Sequence, residues 1–435
     1  MRIKYIGVAV TAVTLFIAIR VAISLDPGAI STPALHTSVL LLRVFLVVLI
    51  ARYLLLLWLG YLHHIESGGT PTPEADDAAL APVTIIVPVF NEEQVILSAL
   101  QSLLALDYPE FHILVVDDGS TDRTFELAST LGGDYGRVSL RVVSKSNGGK
   151  AAALNTGLAL AKTPYVLCMD GDSRLHPATL RHAMTHFDDP RVAAVAGNVK
   201  VVNRNNIWTR LQALEYIEGL NLARRAQGFL RIVNIIPGPI GVFRRDVLSS
   251  VGGYDSDTFA EDADLTLKLV TAGWHVVYEE RAIAWTESPE IFVDLIRQRY
   301  RWTRGILQAL RKRASVLSSP RGQIVTWISV ASMFFEAVLW PTVNILGGLM
   351  FTIAALSAGV TSGIFYWWML LTMLDVAAAL YTVVTEEEDL ALVPYAVVYR
   401  FLFITMIDVA KLFATIEEAA NVNMTWGKLA RAGRI

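Results

Sequence analysis

The chain has 435 residues, enough for about two or three domains of ordinary size. Hydrophobic residues make up 54% of it and charged residues only 18%, so a disordered protein is excluded and part of the chain is expected in a membrane. The formal net charge of −3 gives no reason to expect nucleic acid as a partner. The single cysteine, Cys168, excludes an internal disulfide and a cysteine-based zinc site.

Two apolar stretches of spanning length, residues 3–25 and 38–62, predict a hairpin of two transmembrane helices over residues 1–65. Arg2 and Lys4 precede the first stretch, whereas the loop between the stretches has no Lys or Arg. The positive-inside rule therefore places the residues that follow the hairpin in the cytoplasm. No small-residue cleavage site follows the first stretch, which we interpret as an uncleaved anchor.

Residues 66–81 are polar and rich in Pro and Gly, which predicts a linker, and residues 82–320 have the pattern of a soluble α/β domain. There, β-branched runs alternate with segments of helical length, which favours a largely parallel sheet covered by helices. Such sheets bind ligands at the carboxyl ends of their strands. The predicted strands are residues 83–89, 112–116, 138–143, 165–169 and 192–202, and the predicted helices are residues 92–106, 121–131, 150–162 and 177–187.

Apolar character returns over residues 321–420 in three blocks, at about 324–356, 364–384 and 394–416. Three full spans after a cytoplasmic domain would leave the C-terminus outside, although the tail, residues 421–435, is basic and is expected inside. Pro341 interrupts the first block, and charged residues make the third block amphipathic. One block is therefore expected to be interfacial or re-entrant, and the sequence leaves open which one.

Charged residues also lie inside the apolar blocks, where they are costly in lipid. They are tolerated if they face a polar conduit or one another. Side chains that extend to the membrane surface, or that bind a partner subunit, would explain these charges equally well. These residues are Arg43, Arg52, Glu336 and Asp375.

Two polar motifs point to a nucleotide. Asp117 and Asp118 end a predicted strand, where carboxylates and backbone amides can bind a nucleobase or ribose, although a turn and helix cap would use the same residues. Lys150 opens a helix directly after Asn147-Gly148-Gly149, where amides and an ammonium group can meet a diphosphate, although a plain glycine turn is the alternative.

Two acidic motifs point to a cation and to a base. Asp170 and Asp172 follow a buried strand and, being two residues apart, can face one hard divalent cation, unless they form a solvated turn. Glu261 and Asp262 precede a helical run, where the helix dipole stabilises carboxylates and where one of them can instead accept a proton from an attacking hydroxyl. We favour Asp262 as that base.

The last motif lies on a predicted helix over residues 291–313. Gln298, Arg301 and Trp302 share one helical face, because residues three and four apart are neighbours. Arg301 can contact a phosphate, and Trp302 offers an apolar platform for a sugar. A basic helix lying on anionic lipid would use similar residues.

In this order, PVFNE, DDGST, NGGKAAALN, DGD, EDAD and QRYRW between apolar blocks resemble the processive family 2 membrane glycosyltransferases, which include cellulose, chitin, hyaluronan and poly-N-acetylglucosamine synthases. The resemblance implies a GT-A domain that uses a UDP-sugar and Mg²⁺ or Mn²⁺ and inverts the anomeric carbon. For the donor, it implies that Asp117 and Asp118 hold uridine, that Lys150 and Asp170 lie at the nucleotide, and that Asp170 and Asp172 hold the metal. It also implies that Asp262 is the base. The residues that it implies for the acceptor and diphosphate are Glu261, Gln298, Arg301 and Trp302.

Gly149-Lys150-Ala151 and Leu214-Glu215-Tyr216 look most like the bacterial poly-β-1,6-N-acetylglucosamine synthases. This resemblance favours UDP-N-acetylglucosamine, a growing polysaccharide as acceptor, export of the product and a place in the bacterial cytoplasmic membrane, with membrane lipid and a small membrane subunit as further partners. Trp426-Gly427-Lys428 is similar to the gating segment of hyaluronan and chitin-type synthases. The alternatives are transfer of a single sugar to a lipid, synthesis of hyaluronan, chitin or cellulose-type polymer, and an inactive scaffold on the same fold.

Overall fold

The computed structural model describes residues 33–68, 77, 80–318, 324–357, 361–423 and 433. The first predicted span, most of the predicted linker and the predicted gating segment around Trp426 lie outside the described residues.

A nine-stranded mixed sheet forms the centre of the α/β domain, in the order β3-β4-β2-β1-β5-β8-β7-β9-β6. Its strands are β1 Val83–Val89, β2 Phe111–Asp117, β3 Gly133–Tyr135, β4 Val138–Ser144, β5 Tyr165–Cys168, β6 Ser173–Leu175, β7 Val192–Val201, β8 Gly241–Arg244 and β9 His275–Thr286. The α/β fold class is confirmed. The predicted strands form, and β4, β2, β1 and β5 are parallel neighbours as expected.

The sheet is more mixed than the alternating pattern predicts, because β8 pairs antiparallel with both β5 and β7. The strand β1 is buried along all seven of its residues, as expected for a strand covered on both faces. Its apolar side chains pack against the helices on either side and hold the carboxyl ends of β1, β2 and β5 in one edge.

Helices cover both faces of the sheet. Those of the α/β domain are α2 Ile96–Leu104, α3 Thr124–Ser129, α4 Lys150–Leu160, α5 Thr179–Met184, α6 Ile207–Leu214, α7 Leu222–Phe229, α8 Arg245–Ser250, α9 Glu261–Thr271, α10 Phe292–Lys312 and α11 Ala314–Ser318. A π-helical segment, Glu215–Asn221, joins α6 to α7, and a 3-10 turn, Thr185–Asp188, follows α5.

Apolar helices, most of them long, flank this domain. They are α1 Pro33–Gly68, α12 Ile324–Phe334, α13 Trp340–Ser357, α14 Thr361–Thr385, α15 Ala396–Val398 and α16 Thr405–Ala419, with 3-10 or π segments at Phe335–Leu339, Leu390–Tyr395 and Tyr399–Ile404. Within the described residues, four helical stretches are long and apolar enough to cross a membrane: Leu40–Glu66, Ile324–Ile353, Trp368–Thr385 and Leu390–Ala419. The protein is an integral membrane protein.

The expected interruption at Pro341 is a local one. The helix continues from α12 to α13 through the π segment Phe335–Leu339, which ends two residues before Pro341. A proline has no backbone N–H to donate, and a widened turn beside it accommodates the missing hydrogen bond without ending the helix.

The charged residues within the apolar helices pair with one another. Arg52 donates two hydrogen bonds to Glu336, at 3.0 and 2.8 Å, and Arg400 donates to Asp375 at 2.6 and 2.7 Å. Arg43 is half-buried on α1. Arg52, Glu336 and Asp375 thus pair with opposite charges, and Arg52 and Glu336 also line a large cavity.

Candidate active site

The polar motifs after β1, β2 and β5 meet at one edge of the sheet, because these strands are parallel neighbours. Asn91, which has a left-handed backbone conformation at φ 53°, accepts a hydrogen bond from the Thr121 amide at 2.8 Å. The loop after β1 is therefore fastened to the loop after β2, and both frame the same edge.

Asp118 holds the glycine-rich loop in place. Its buried carboxylate accepts from the Gly148 amide at 3.0 Å, from the Gly149 amide at 2.7 Å and from Lys145 Nζ at 2.6 Å. Asp117, also buried, accepts from Ser144 Oγ at 2.9 Å. The structure thus assigns Asp118 a role in shaping the loop before Lys150, and its contact with uridine stays a prediction.

Lys150 joins three motifs that are distant in the sequence. Its ammonium group lies 2.6 Å from Asp170 Oδ1 and 2.7 Å from Glu261 Oε1. The backbone of Gly238 packs against this pair: a Cβ at position 238 would lie 2.6 Å from Asp170 Oδ2 and 2.9 Å from Lys150 Nζ. A side chain there would push the pair apart, so the close approach requires glycine.

Burial and neighbouring charges shift the pKa values of the groups in this cluster. Burial raises the pKa of Asp262 to about 6, and the neighbouring Glu261 carboxylate acts in the same direction. Burial also raises the pKa of Asp170. Burial alone would lower the pKa of Lys150 and raise that of Glu261, but the attraction between opposite charges outweighs it: the Lys150 pKa is raised and the Glu261 pKa is lowered.

The carboxyl groups near Lys150 are of the type that a divalent cation uses, and the Lys150 ammonium group occupies two of them, those of Asp170 and Glu261. Asp170, Glu261 and Asp262 bring three carboxyl groups around the single ammonium of Lys150, and buried Asp172 lies two residues from Asp170. Carboxylate oxygens are the ligands that Mg²⁺ and Mn²⁺ prefer. A small cleft, lined also by Cys168 and Tyr254, opens beside the cluster.

A second group of carboxylates, Asp255, Asp257 and Asp264, also converges. The ammonium of Lys312 already lies among them, at 2.7, 2.7 and 2.9 Å. This arrangement fastens the end of α10 to the loop before α9, and we interpret it as structural.

The helix α10 brings Arg301 toward the acidic motif. Arg301 Nη1 donates to the Phe259 carbonyl at 3.1 Å, two residues before Glu261, and its charge contributes to the lowered pKa of Glu261 after that of Lys150. The predicted residues that the structure brings together are therefore Lys150, Asp170, Glu261, Asp262 and Arg301.

Gln298 and Trp302 are held by a residue that the sequence analysis missed. The guanidinium of Arg299 lies 4.3 Å from the Trp302 ring centroid and donates to Gln298 Oε1. Its other nitrogens donate to Glu215, with 3.0 Å from Nε to Oε1. Arg299 lies inside the QRYRW motif, but nothing in the sequence indicates that its partner lies 84 residues earlier.

A larger cavity lies between part of the α/β domain and the apolar helices and opens to solvent, with about 1480 Å³ of empty space. Glu215 and Thr303 of the catalytic domain line it together with Arg52, Trp340 and Arg400 of the apolar helices. The walls thus carry charges of both signs and an aromatic surface.

Residues 81–305 match the profile of the family described as Glycosyltransferase like family 2. The chain belongs to this family. The match includes every candidate residue of the glycosyltransferase site described above, from Asp117 to Trp302.

Two curated relatives carry the same name, poly-beta-1,6-N-acetyl-D-glucosamine synthase. The protein from Staphylococcus epidermidis strain ATCC 35984 is 31% identical over 278 residues, which cover 61% of this chain and 66% of the relative. The protein from Staphylococcus aureus strain COL is 32% identical over 236 residues, which cover 54% of this chain and 56% of the relative. The chain therefore matches between about half and two thirds of these relatives' length.

A mannosyltransferase from Pyrobaculum calidifontis, solved in complex with GDP-Man and Mn²⁺, has a similar fold. The superposition has a TM-score of 0.61 and covers 88% of this chain and 100% of that chain, at 22% sequence identity. The likeness shows the fold.

Proposed function

We propose that the chain is an inverting, processive glycosyltransferase that adds N-acetylglucosamine from a UDP-sugar to a growing β-linked polysaccharide and passes the product across the membrane. The observation that carries the proposal is the convergence of Lys150, Asp170, Glu261 and Asp262 at the carboxyl edge of the sheet. The names of the Staphylococcus relatives support the choice of sugar.

In the proposed reaction, Asp262 accepts the proton of an acceptor hydroxyl. The hydroxyl oxygen forms a bond to the anomeric carbon of the donor while the bond from that carbon to the diphosphate breaks, and UDP leaves. A pKa of about 6 keeps Asp262 ionised at neutral pH and still basic enough to take the proton. One such displacement inverts the anomeric carbon, so an α-linked donor gives a β-linked product.

The proposed roles of the other site residues concern the leaving diphosphate, the uridine and the acceptor. Lys150 and Arg301 would offset its negative charge, and Asp117 and Asp118 would position the uridine. A divalent cation, Mg²⁺ or Mn²⁺, held by Asp170 and Asp172 would neutralise further charge on the diphosphate. Gln298 and Trp302 would bind the acceptor, with the sugar stacked on the indole ring.

The large cavity supports the membrane part of the proposal. It lies between the catalytic domain and the apolar helices, where a polymer that crosses the membrane would have to pass from one to the other. We place the enzyme in the bacterial cytoplasmic membrane, with the catalytic domain in the cytosol, membrane lipid around the helices and a small membrane subunit as a further partner.

The test is product analysis with the purified full chain in lipid vesicles. Labelled UDP-N-acetylglucosamine with Mg²⁺ or Mn²⁺ should give long polymer that a β-specific hydrolase degrades. UDP-glucose alone, and UDP-N-acetylglucosamine with UDP-glucuronic acid, are supplied in parallel. Only mono-glycosylated lipid would refute processive synthesis, and polymer from another donor alone would refute the choice of sugar.

The matched variants are Asp262→Asn and Asp134→Asn. Removal of the proposed base should lower kcat by about 10²- to 10⁴-fold and leave nucleotide binding intact. Asp134 is exposed on the edge strand β3 and pairs with Arg141, so its variant should have unchanged activity. Equal turnover of the two variants would remove Asp262 from the reaction.

A further inference from the structure

The ammonium group of Lys150 lies between two carboxylates that come from distant parts of the sequence. Its Nζ is 2.6 Å from Asp170 Oδ1 and 2.7 Å from Glu261 Oε1, so both oxygens face one point. Carboxylate oxygens bind ammonium groups and hard divalent cations alike. The two kinds of cation therefore compete for this pair of carboxylates.

The two carboxylates are attached to backbone that is held in place. The Asp170 amide donates to the Gly238 carbonyl at 3.2 Å, and the Asp170 carbonyl accepts from the Ser173 amide at 3.1 Å. Glu261 is the first residue of α9, and only 13% of its side chain is exposed. Movement of either carboxylate would disturb the elements around it.

The Lys150 side chain, in contrast, can move without its backbone. It is 37% exposed, and it projects from the first residue of α4 on a flexible four-carbon stem. The cleft that Asp170 and Glu261 line opens beside it. In an exchange of cations at this pair, Lys150 is therefore the group that leaves.

The space around Asp170 admits one cation at a time. A Cβ at position 238 would lie 2.6 Å from Asp170 Oδ2 and 2.9 Å from Lys150 Nζ, so the Gly238 backbone covers the pair on one side. Two cations at such short range would also repel each other strongly. A divalent cation that binds Asp170 Oδ1 thus displaces the ammonium group.

The charges favour this exchange once a diphosphate is present. The carboxyl groups of Asp170, Glu261 and Asp262 all act on the single charge of Lys150. A divalent cation balances two carboxylates, whereas an ammonium group balances one. The displaced ammonium group needs a new anionic partner in the cleft, and a diphosphate is one.

We propose that Lys150 is an exchangeable counter-ion: a divalent cation binds Asp170 with Glu261 as a further ligand, and Lys150 moves from this pair to the diphosphate of the donor. The second step rests on the proposed use of a UDP-sugar. Since each ligand removes an obstacle to the other, the cation and the nucleotide raise each other's affinity by the same factor. Without a nucleotide, Lys150 keeps the affinity for the cation low.

Binding of Mn²⁺ tests the exchange without turnover. The purified full chain in neutral detergent is titrated with Mn²⁺, with and without UDP, and the EPR signal of free Mn²⁺ gives the bound fraction. UDP should tighten Mn²⁺ binding to the unsubstituted chain by about 5- to 150-fold. In Lys150→Gln, Mn²⁺ alone should bind more tightly than to the unsubstituted chain by a factor in this range, and UDP should add less.

The controls separate the charge of Lys150 from general damage. Lys162→Gln removes the same charge at an exposed position and should bind Mn²⁺ like the unsubstituted chain. Lys150→Arg keeps a positive charge and should restore the low affinity for Mn²⁺ alone. Adding Asp170→Asn or Glu261→Gln to Lys150→Gln should abolish the gain, because each removes one of the two carboxylates.

Two results would overturn the exchange. One is an affinity for Mn²⁺ alone that is unchanged or lower in Lys150→Gln, and the other is a gain that survives both double variants, since the ion would then bind elsewhere. An unsubstituted chain that does not bind UDP would refute the proposed donor and the movement of Lys150 to it. The Mn²⁺ affinities without UDP would still decide whether Lys150 competes with the cation.

Discussion

The carboxyl group of Asp262 is the acid-base centre of the proposed reaction, and its environment sets the pH at which it works. An unperturbed aspartate has a pKa of about 3.9. Burial, with the adjacent Glu261 carboxylate, raises the pKa of Asp262 to about 6 because both disfavour the ionised form. Lys150 opposes this shift through its positive charge.

The acidity of Asp262 gives the first prediction. A general base must be unprotonated, so kcat/KM should be constant near neutrality and fall tenfold per pH unit below about pH 6. The measurement is initial rate at low donor concentration between pH 5 and pH 8. Nucleotide binding over the same range is the control for acid damage, and a flat profile down to pH 5 would exclude Asp262 as the titrating base.

Lys150→Gln tests the cause of the shift. The Lys150 ammonium group stabilises ionised Asp262, so its removal should raise the pKa of Asp262. The acid limb of the profile should then move to higher pH. Lys162→Gln removes the same positive charge at an exposed position, so it should leave the acid limb in place. An unmoved limb in the Lys150 variant would mean that another group titrates.

How far the site could be predicted differs between its residues. Asp117, Asp118 and Asp170 could be assigned to one edge because they follow neighbouring parallel strands. The contact between Lys150 and Glu261 could not be predicted, because it joins residues 111 apart in the sequence and depends on how α9 packs on the sheet. The role of Arg299 could not be predicted for the same reason: its partner Glu215 lies on another element.

The role of the π segment Glu215–Asn221 also depends on a contact between residues distant in the sequence. It places Glu215 opposite α10, where the carboxylate binds Arg299 through both oxygens and both groups are largely buried. The Arg299 guanidinium in turn contacts Gln298 and Trp302. Glu215 is therefore a positioning residue for the proposed acceptor side of α10.

This pair gives a prediction about stability. Glu215→Ala leaves a buried guanidinium without its carboxylate, so the free energy of unfolding should fall by about 3 to 5 kcal/mol. Thermal unfolding in detergent measures the loss, and Glu126→Ala, at an exposed position on α3, is the control. Glu215→Asp should retain most stability but raise the KM for the acceptor more than that for the donor. Equal stability of the two alanine variants would contradict the role of the pair.

The strands show where pattern reasoning fails for an element. The strand β9 was missed because Glu279, Glu280 and Arg281 interrupt its apolar alternation. The structure pairs these charges, since Glu279 binds both Arg281 and His186, and the register with β7 shifts at this point. The helix predicted from residue 92 begins only at Ile96, because the amides of residues 91–93 bind the side chains of residues 120–124.

In the molecule as a whole, a seam of charged residues joins the catalytic domain to the apolar helices. Glu386 and Glu388, directly after α14, bind Arg225 of α7 and Lys200 of β7. Asn198 Nδ2 also donates to Glu386, at 3.0 Å. These groups are buried, so solvent screens their attraction less than at a surface. The seam ties the catalytic domain to the end of α14 and thereby to the apolar helices.

The seam gives the last prediction. In Glu386→Gln/Glu388→Gln, Lys200 and Arg225 lose their buried counter-charges, so the two parts of the molecule should separate more easily. We expect a lower temperature of thermal unfolding and a lower rate of polymer synthesis, with nucleotide affinity unchanged because Lys150 and Asp262 lie outside the seam. Glu387→Gln is the matched control, since Glu387 lies between the two and is exposed. If the control loses as much polymer synthesis as the double variant, the seam is not what couples the catalytic domain to the membrane helices.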